Sequence, residues 1–319
     1  MIETIVPRDE QHWLQLRAED ITSTETPALF GLSPYTTLFE LWHRKKDKLV
    51  LELEPNERMK WGTRLQDAIA NGIGLDQGWS IRHMKEYIRD PELRMGSSFD
   101  FEIETLTPYG ENGVGQIAEK GLLEIKNVDS LAFRDGWAIE GDDLEAPPHI
   151  ELQVQHQLAV SGRKFAYIGA LIGGNRVALI KREPDEKIIK EIKRRVASFW
   201  LTVVMEQEPK PDFAKDAAFI TRLYGYAEPN KVLDARNDEK FTKLMIKYKE
   251  AGDRAKQAEE EKNIAKAELL TLAGDAEKVL GAGFTLSLGI VGEAEVTYTR
   301  KAYRAFKPSW KKSVEKENG

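Results

Sequence analysis

The stretch GLLEIKN, residues 121–127, decides the fold class of this chain. Successive side chains of an extended strand point to opposite faces, so Glu124 and Lys126 share one face. An earlier run, SFDFEIETL at residues 98–106, has the composition of a second strand and carries Asp100 near its start. The turn-rich segment TPYGENG between the two runs favours a hairpin or meander. Pairing of these strands places Asp100 beside Glu124.

These three side chains suit phosphodiester hydrolysis. Two carboxylates, from Asp100 and Glu124, hold a hard divalent ion, and Lys126 orients an attacking water or helps to deprotonate it. The alternative interpretation is an exposed ion pair between Glu124 and Lys126 on an ordinary strand.

Helical and extended segments alternate around this pair of strands. Apolar residues at helical spacing predict one helix over 57–73 and another over 149–160, in which Gln153, His156 and Gln157 occupy a separate face. FAYIGALI and RVALIKR, joined by GGN, predict a strand hairpin, and DEKIIKEIKRRVASFW predicts a helix that closes this first unit. The alternation indicates an α/β fold.

The composition is that of a globular protein, with 319 residues, 41% hydrophobic residues and a mean hydropathy of −0.48. No apolar run approaches the roughly 18 residues of a membrane span, and the first residues lack a signal-peptide pattern, so we expect a cytoplasmic protein without a membrane partner. The absence of cysteine excludes disulfides, thiol catalysis and thiolate-bound zinc or iron–sulfur clusters. The histidines lack metal-binding spacing, so oxygen ligands and Mg²⁺ or Mn²⁺ are indicated.

The chain is expected to have a main domain and an appendage. EQEPKPDF, residues 206–213, is the best candidate linker because it combines two prolines with mixed charge. We therefore predict a first domain over 1–212 and an accessory C-terminal region over 213–319. Within that region, an Ala-, Lys- and Glu-rich run over 237–272 predicts a long helix or coiled-coil arm, with Gly252 as a candidate interruption. FTLSLG and IVGEAEVTYTR then predict a β-hairpin.

The end of the chain is basic although the whole chain has a net charge of −6. Basic residues alternate there with Tyr303, Phe306 and Trp310, a combination that suits DNA because base stacking and phosphate contacts add. A solvated tail or a packing surface is the alternative interpretation. The basic residues of this tail are Arg300, Lys301, Arg304, Lys307, Lys311, Lys312 and Lys316.

Seven motifs between Trp13 and Trp200 occur in a recognisable order: WLQLRAEDITSTE, GLSPYTTLFELWHRK, WGTRLQ, SSFD, GLLEIKN, IELQVQHQLAVSG and ASFW. In this order they resemble the lambda-exonuclease-like, YqaJ-type viral recombinase nucleases of the PD-D/E-x-K superfamily. The resemblance implies a restriction-endonuclease-like core, which is a central mixed sheet flanked by helices. Longer members of the group look similar in carrying a C-terminal helical arm and β-hairpin.

The resemblance also implies roles for matching residues. Asp100, Glu124 and the backbone carbonyl of Ile125 would ligate the metal, and Lys126 would be the catalytic lysine. Gln153 would lie beside the metal and the DNA backbone, with a solvated helix face as the alternative. Further along the same helix, Gln155 is expected to be structural or to support the ligands, and His156 to be a hydrogen-bonded structural group.

A pocket for the 5′-phosphate of a DNA end is implied at Arg17 and Thr24, whose hydroxyl lies seven residues later. Arginine suits this task because its planar guanidinium binds phosphate bidentately. Ser23 is an alternative to Thr24, and Thr24 is alternatively a cap of the next helix.

Two positions depart from the family pattern. Gln66 stands where a glutamate usually serves as a further metal ligand, so a second ion would bind more weakly or through water. Asp67 is adjacent but about 100° around the helix, and so is poorly aimed. Ile150 stands where a tyrosine often precedes the glutamine by three residues.

The resemblance implies a Mg²⁺-dependent exonuclease, with Mn²⁺ as a substitute and two ions per site. It would digest the 5′-ended strand of linear duplex DNA and leave a 3′ single-stranded tail. That tail would feed a phage-type single-strand annealing protein, and the nuclease would act as a ring-shaped homo-oligomer, a trimer in the lambda enzyme. A RecB-like nuclease of other polarity and a non-catalytic DNA-end-binding protein remain as alternatives.

Overall fold

A computed structural model describes residues 1–47, 56–106, 117–140, 143–297, 299–300 and 302–310. The described helices are α1 (Glu10–Glu19), α2 (Thr26–Leu29), α3 (Leu38–Lys46), α4 (Glu57–Gln77), α5 (Ser130–Gly136), α6 (Pro148–Ser161), α7 (Glu186–Val204), α8 (Ala217–Leu223) and α9 (Glu239–Ala273). None of them is long and apolar enough to cross a membrane.

The described strands are β1 (Glu3–Ile5), β2 (Ile21–Thr22), β3 (Ser80–His83), β4 (Tyr87–Asp90), β5 (Met95–Ser97), β6 (Phe101–Leu106), β7 (Ile117–Val128), β8 (Ala138–Glu140), β9 (Asp143–Glu145), β10 (Ala166–Ile172), β11 (Arg176–Arg182), β12 (Lys278–Gly281) and β13 (Phe284–Ser287). The predicted turn TPYGENG, Lys301 and residues 311–319, which include the last three predicted basic residues, lie outside the described part of the chain. The chain divides into two compact units, Met1–Ile220 and Thr221–Gly319.

The first unit is built on a five-stranded sheet in the order β11-β10-β7-β6-β3. β7 pairs with β10 in parallel and with β6 in antiparallel register, so the sheet is mixed, and helices flank both faces. The predicted α/β fold, with a central mixed sheet flanked by helices as in the restriction-endonuclease-like core, is thereby confirmed.

The two faces of β7 pack against different helices. Leu123 and Ile125 lie in a buried cluster with Ile69 and Ile73 of α4. Gly169 of β10 permits this close approach, because a Cβ there would lie 2.6 Å from the Ile73 side chain. Leu122, on the opposite face, lies in the larger core that includes residues of α6 and α7. Alternation along β7 therefore turns Glu124 and Lys126 towards α6.

A smaller four-stranded sheet in the order β1-β4-β5-β2 joins the same unit. The compact unit ends at Ile220, eight residues after the predicted boundary at 212. Chain beyond 212 is tied to α3, because the Thr37 hydroxyl donates to Asp216 and the Phe219 ring lies edge-on against Phe39 at 6.0 Å. That the remainder is an accessory region stays a prediction.

In the second unit, α9 covers 35 residues and runs through Gly252 without the anticipated interruption. The predicted hairpin is present but misplaced. FTLS pairs with the preceding segment Lys278–Gly281, not with the following one, and residues 290–297 form no strand. The turn between the paired strands contains Gly283, whose φ of +91° favours glycine. The segments before and after FTLS both have strand-like sequences, so the tight turn before FTLS decides which of them pairs with it.

Candidate active site

Asp100 lies one residue before β6, not within it as predicted, and its carboxylate extends the β6–β7 ladder. The last register pair at this end is Phe101 with Leu123. Beyond it, Asp100 Oδ2 accepts the Ile125 N–H at 2.8 Å. The N–H and C=O of one strand residue point to the same side, so the Ile125 carbonyl also faces this end of β6.

Glu124 is 5% exposed and receives hydrogen bonds on both carboxylate oxygens. Oε1 accepts from Lys126 Nζ at 2.6 Å and from Gln153 Nε2 at 2.7 Å, and Oε2 accepts from Gln157 Nε2 at 2.8 Å. The two glutamines lie one helical turn apart on α6. Burial and this set of donors exclude the alternative of an exposed strand ion pair.

Lys126 is held between two acceptors, because its Nζ also lies 3.1 Å from Gln153 Oε1. Burial alone would lower the pKa of Lys126, but the charges of Glu124 and Asp100 outweigh it and raise this pKa above its ordinary value. Lys126 is therefore an ammonium at neutral pH, able to donate hydrogen bonds to an oxygen in the site.

Burial and the charge of Glu124 raise the pKa of Asp100 to about 7, against the opposing effects of Lys126, the Ile125 N–H and the Gln66 side chain. Gln66 therefore lies close enough to Asp100 to lower its pKa, and the Gln66 amide oxygen is a candidate neutral ligand.

The donor set fits a hard divalent cation. Two carboxylates and the Ile125 carbonyl lie together, and a cation between the carboxylates would offset both the burial and the Glu124 charge that raise the pKa of Asp100. In the described ranges no three His, Asp or Glu side chains form a metal cage, so the set consists of two carboxylates and neutral oxygens.

Arg17 and Thr24, which the family resemblance assigns to one pocket, lie next to each other. Arg17 Nη2 donates to Thr24 Oγ1 at 3.3 Å, and the guanidinium lies 4.7 Å from the centre of the Trp13 ring. Thr24 is exposed and is not a helix cap, because α2 begins after Glu25. Ser23 is buried and accepts from the Ser97 hydroxyl at 2.8 Å, so Thr24 is the available hydroxyl.

A buried ion pair that the sequence did not reveal supports this pocket. Lys45 Nζ lies 2.7 Å from Glu25 Oε2 and donates to the Arg17 carbonyl at 2.7 Å. Burial would raise the pKa of Glu25, but Lys45, Arg17 and Arg44 hold it at about 2. The pair fixes the end of α1 against α3 and so orients Arg17.

One cleft of about 720 Å³ joins the two groups of residues. Its lining includes Thr24 from the arginine pocket and Lys126 and Gln153 from the carboxylate site. Tyr35 and His149 also line it. A chain that enters the cleft can therefore contact Thr24, Lys126 and Gln153 together.

The remaining candidates lie elsewhere. Gln155 donates to the Glu183 carbonyl and accepts the Asp185 N–H, both at 2.9 Å, so its role is structural. His156 is fully buried between the Thr26 hydroxyl and the Gly96 carbonyl. Asp67 is exposed and Ile150 belongs to the core. Gln157 was missed as a site residue, although its spacing of four from Gln153 was a usable signal.

Comparisons with known proteins agree with the motifs. Residues 12–164 match the model of the YqaJ-like viral recombinase domain. The uncharacterized protein YqaJ of Bacillus subtilis is 28% identical over 268 residues, which are 82% of this chain and 78% of that protein.

Two solved exonuclease structures are similar at lower identity. The alkaline exonuclease LHK-Exo from Laribacter hongkongensis is 19% identical, with a TM-score of 0.45 over 66% of this chain and 99% of its own. A phage related exonuclease from Haemophilus somnus 129PT is 13% identical, with a TM-score of 0.39 over 59% of this chain and 96% of its own. Residues 12–164 are therefore similar to the YqaJ-like viral recombinase domain, in agreement with the resemblance of the motifs.

Proposed function

We propose that the chain is a Mg²⁺-dependent exonuclease that digests the 5′-ended strand of linear duplex DNA. The observation that carries this proposal is the grouping of partly buried Asp100 and Lys126 with buried Glu124, beside a cleft whose lining includes Lys126 and Thr24. The match of residues 12–164 to a viral recombinase domain supports it.

Asp100, Glu124 and the Ile125 carbonyl would hold the metal. Bound there, Mg²⁺ or Mn²⁺ would polarise the scissile phosphate and lower the pKa of a water ligand. Gln66 would add a neutral amide oxygen. A second ion therefore binds more weakly than the first, because the site offers it less negative charge.

Lys126 and Gln153 would act on the attacking water and the phosphate. Lys126 donates a hydrogen bond that orients the water and balances negative charge on the phosphate during attack. Gln153 accepts from Lys126 with its amide oxygen and donates to Glu124 with its amide NH₂, and so holds both in place. It would also contact the DNA backbone from α6.

Arg17 and Thr24 would bind the 5′-phosphate of the DNA end. The guanidinium lies against the Trp13 ring, and Lys45 holds the Arg17 backbone carbonyl, so less side-chain freedom is lost on binding. Fixing the end phosphate here sets which phosphodiester reaches Lys126, and this favours digestion from the 5′ end.

The same proposal includes the fate of the product. The remaining 3′ single strand would pass to a single-strand annealing protein in phage-type recombination. The ring-shaped homo-oligomer, a trimer by family resemblance, would keep the enzyme on its substrate.

One experiment tests the proposal against its alternatives. A linear duplex is labelled at either the 5′ or the 3′ end, with or without a 5′-phosphate, and digested in Mg²⁺ or in EDTA. We expect early release of the 5′ label, only in Mg²⁺ and faster with the phosphate. Early release of the 3′ label would favour the RecB-like alternative, and binding without release would favour the non-catalytic end-binding protein.

A further inference from the structure

The helix α9 presents an apolar face that nothing in the described part of the second unit buries. Its residues recur at alternating steps of three and four, the repeat of a coiled coil. We call this face the α9 seam. It comprises Phe241, Leu244, Tyr248, Ala251, Ala255, Ala258, Lys262, Ala265, Leu269 and Leu272.

A seam of this length is a binding surface. A surface helix normally buries its apolar stripe, and a regular heptad stripe over 35 residues is typical of a helix that pairs with another helix. At Tyr248 the seam meets another part of the unit, with the Tyr248 ring 5.1 Å from that of Phe306. Tyr248 remains 51% exposed, so this contact flanks the seam without covering it.

We propose that two copies of this chain pair through α9 as an antiparallel coiled coil. The two-fold axis passes between residues 256 and 257, at the middle of the helix. This register brings each large seam residue against a complementary one. The layers are Phe241 with the partner's Leu272, Leu244 with the partner's Leu269, Tyr248 with the partner's Ala265, Ala251 with the partner's Lys262, and Ala255 with the partner's Ala258.

The charges that flank the seam favour this arrangement. Lys247 and Arg254 lie beside the seam in the first half of α9, and Glu261 and Glu268 lie on the same side in the second half. In the antiparallel register Lys247 faces the partner's Glu268, and Arg254 faces the partner's Glu261. Each pair occurs twice by symmetry, so the ends of the two helices attract.

The parallel arrangement is less favourable. In register, it places Lys262 against the partner's Lys262 inside the seam, and Tyr248 against the partner's Tyr248. Antiparallel pairing instead puts Lys262 opposite alanine, where its Nζ keeps its 3.1 Å contact with Glu259 of its own helix. A single lysine in a seam thus selects the orientation of the helices.

The mass of the full-length protein in solution tests the pairing. Replacing Leu244→Asp and Leu269→Asp should halve the mass of whatever assembly forms, measured by sedimentation equilibrium. The matched control is Ile246→Asp with Ile264→Asp, two comparably exposed residues of α9 outside the seam, and it should leave the mass unchanged. Equal masses for the native protein and the seam variant, with helix content unchanged by circular dichroism, would overturn the proposal.

A charge exchange tests the flanking pairs. Lys247→Glu with Arg254→Glu should raise the dissociation constant about tenfold or more, because attraction becomes repulsion. Adding Glu261→Lys and Glu268→Lys should restore it. If the fourfold variant stays as weak as the twofold variant, these pairs do not face one another.

Cysteine cross-linking tests whether the two α9 helices are antiparallel. Because the chain contains no cysteine, only the introduced residues can form a disulfide. Ala251→Cys mixed with Lys262→Cys should form a disulfide between chains. Neither variant should do so alone, because each position then lies about 16 Å along the helix from its own copy, beyond the reach of a disulfide. Efficient self-linking of either single variant would show a parallel pair and overturn the antiparallel arrangement.

Discussion

Gln157 donates a hydrogen bond to Glu124 at 2.8 Å, on the carboxylate oxygen that Lys126 and Gln153 leave free. Its own Oε1 is buried and has no hydrogen-bond partner among the described residues. The Gln157 amide therefore acts here as a hydrogen-bond donor. Because it holds Glu124, Gln157 is a positioning residue for this proposed metal ligand.

Gln157→Ala should lower kcat by about 10- to 100-fold, with little change in KM, because Glu124 loses one of its orienting donors. The Mg²⁺ concentration at half-maximal rate should rise as well, which a purely structural role would not cause. Gln155→Ala is the matched control on the same helix, since Gln155 contacts residues 183 and 185 instead. It should keep the kcat and the Mg²⁺ dependence, and an equal loss in both variants would contradict the role of Gln157.

Gln66→Glu should lower the Mg²⁺ concentration required for activity by about tenfold. The new carboxylate adds negative charge beside Asp100, where the site now has only two acidic groups. Titration of activity with Mg²⁺ checks this expectation. Asp67→Asn removes a neighbouring charge that points into solvent and should leave the titration unchanged. A rise in the required Mg²⁺ for Gln66→Glu would argue against Gln66 as a ligand position.

Arg17→Ala should abolish the preference for 5′-phosphorylated ends, and Thr24→Ala should weaken it, while digestion of ends without phosphate continues. The loss in Arg17→Ala should be about 10- to 100-fold in kcat/KM, the strength of a charge-assisted hydrogen bond. Competing digestion of the two kinds of end measures the preference directly. Ser23→Ala, which removes only the buried contact with Ser97, should retain it. An unchanged preference in Arg17→Ala would remove this pocket.

His156 makes the stability of the first unit depend on pH. Burial lowers the pKa of His156 to about 4 from its model-compound value of 6.5. The folded protein keeps this imidazole neutral while the unfolded chain takes up a proton. Its contribution to stability is therefore constant above pH 6.5 and is lost as the pH falls towards 4, by about 3 kcal/mol in total.

Urea unfolding of the native protein and of His156→Gln across this pH range isolates the effect. The difference in unfolding free energy between them should shrink as the pH falls. The comparison with the variant is needed because Asp100 has the opposite effect on the unfolding free energy. Its raised pKa stabilises the folded state as the pH falls below about 7. A difference that is constant with pH would contradict the account of His156.

The strand pattern of GLLEIKN was sufficient to predict that Glu124 and Lys126 share a face, because alternation is a local property of the chain. The order of strands and helices along the sequence was sufficient to predict that Asp100 lies near Glu124 and that helices flank the site. The Glu25–Lys45 pair could not be predicted, since it joins residues twenty apart whose contact depends on how the start of α2 packs against α3. The hairpin of the second unit was misplaced because strand-like runs do not specify their partners without the turn.

The most direct test of the proposed catalytic centre is the rate of nucleotide release by Lys126→Ala. In Mg²⁺, under single-turnover conditions with a 5′-phosphorylated linear duplex, we expect a loss of about a thousandfold or more, because the positioned ammonium beside Glu124 is removed. Binding to the same duplex, measured in EDTA, should remain close to that of the native protein and of the surface control Lys190→Ala. Full activity in Lys126→Ala would contradict the proposed site.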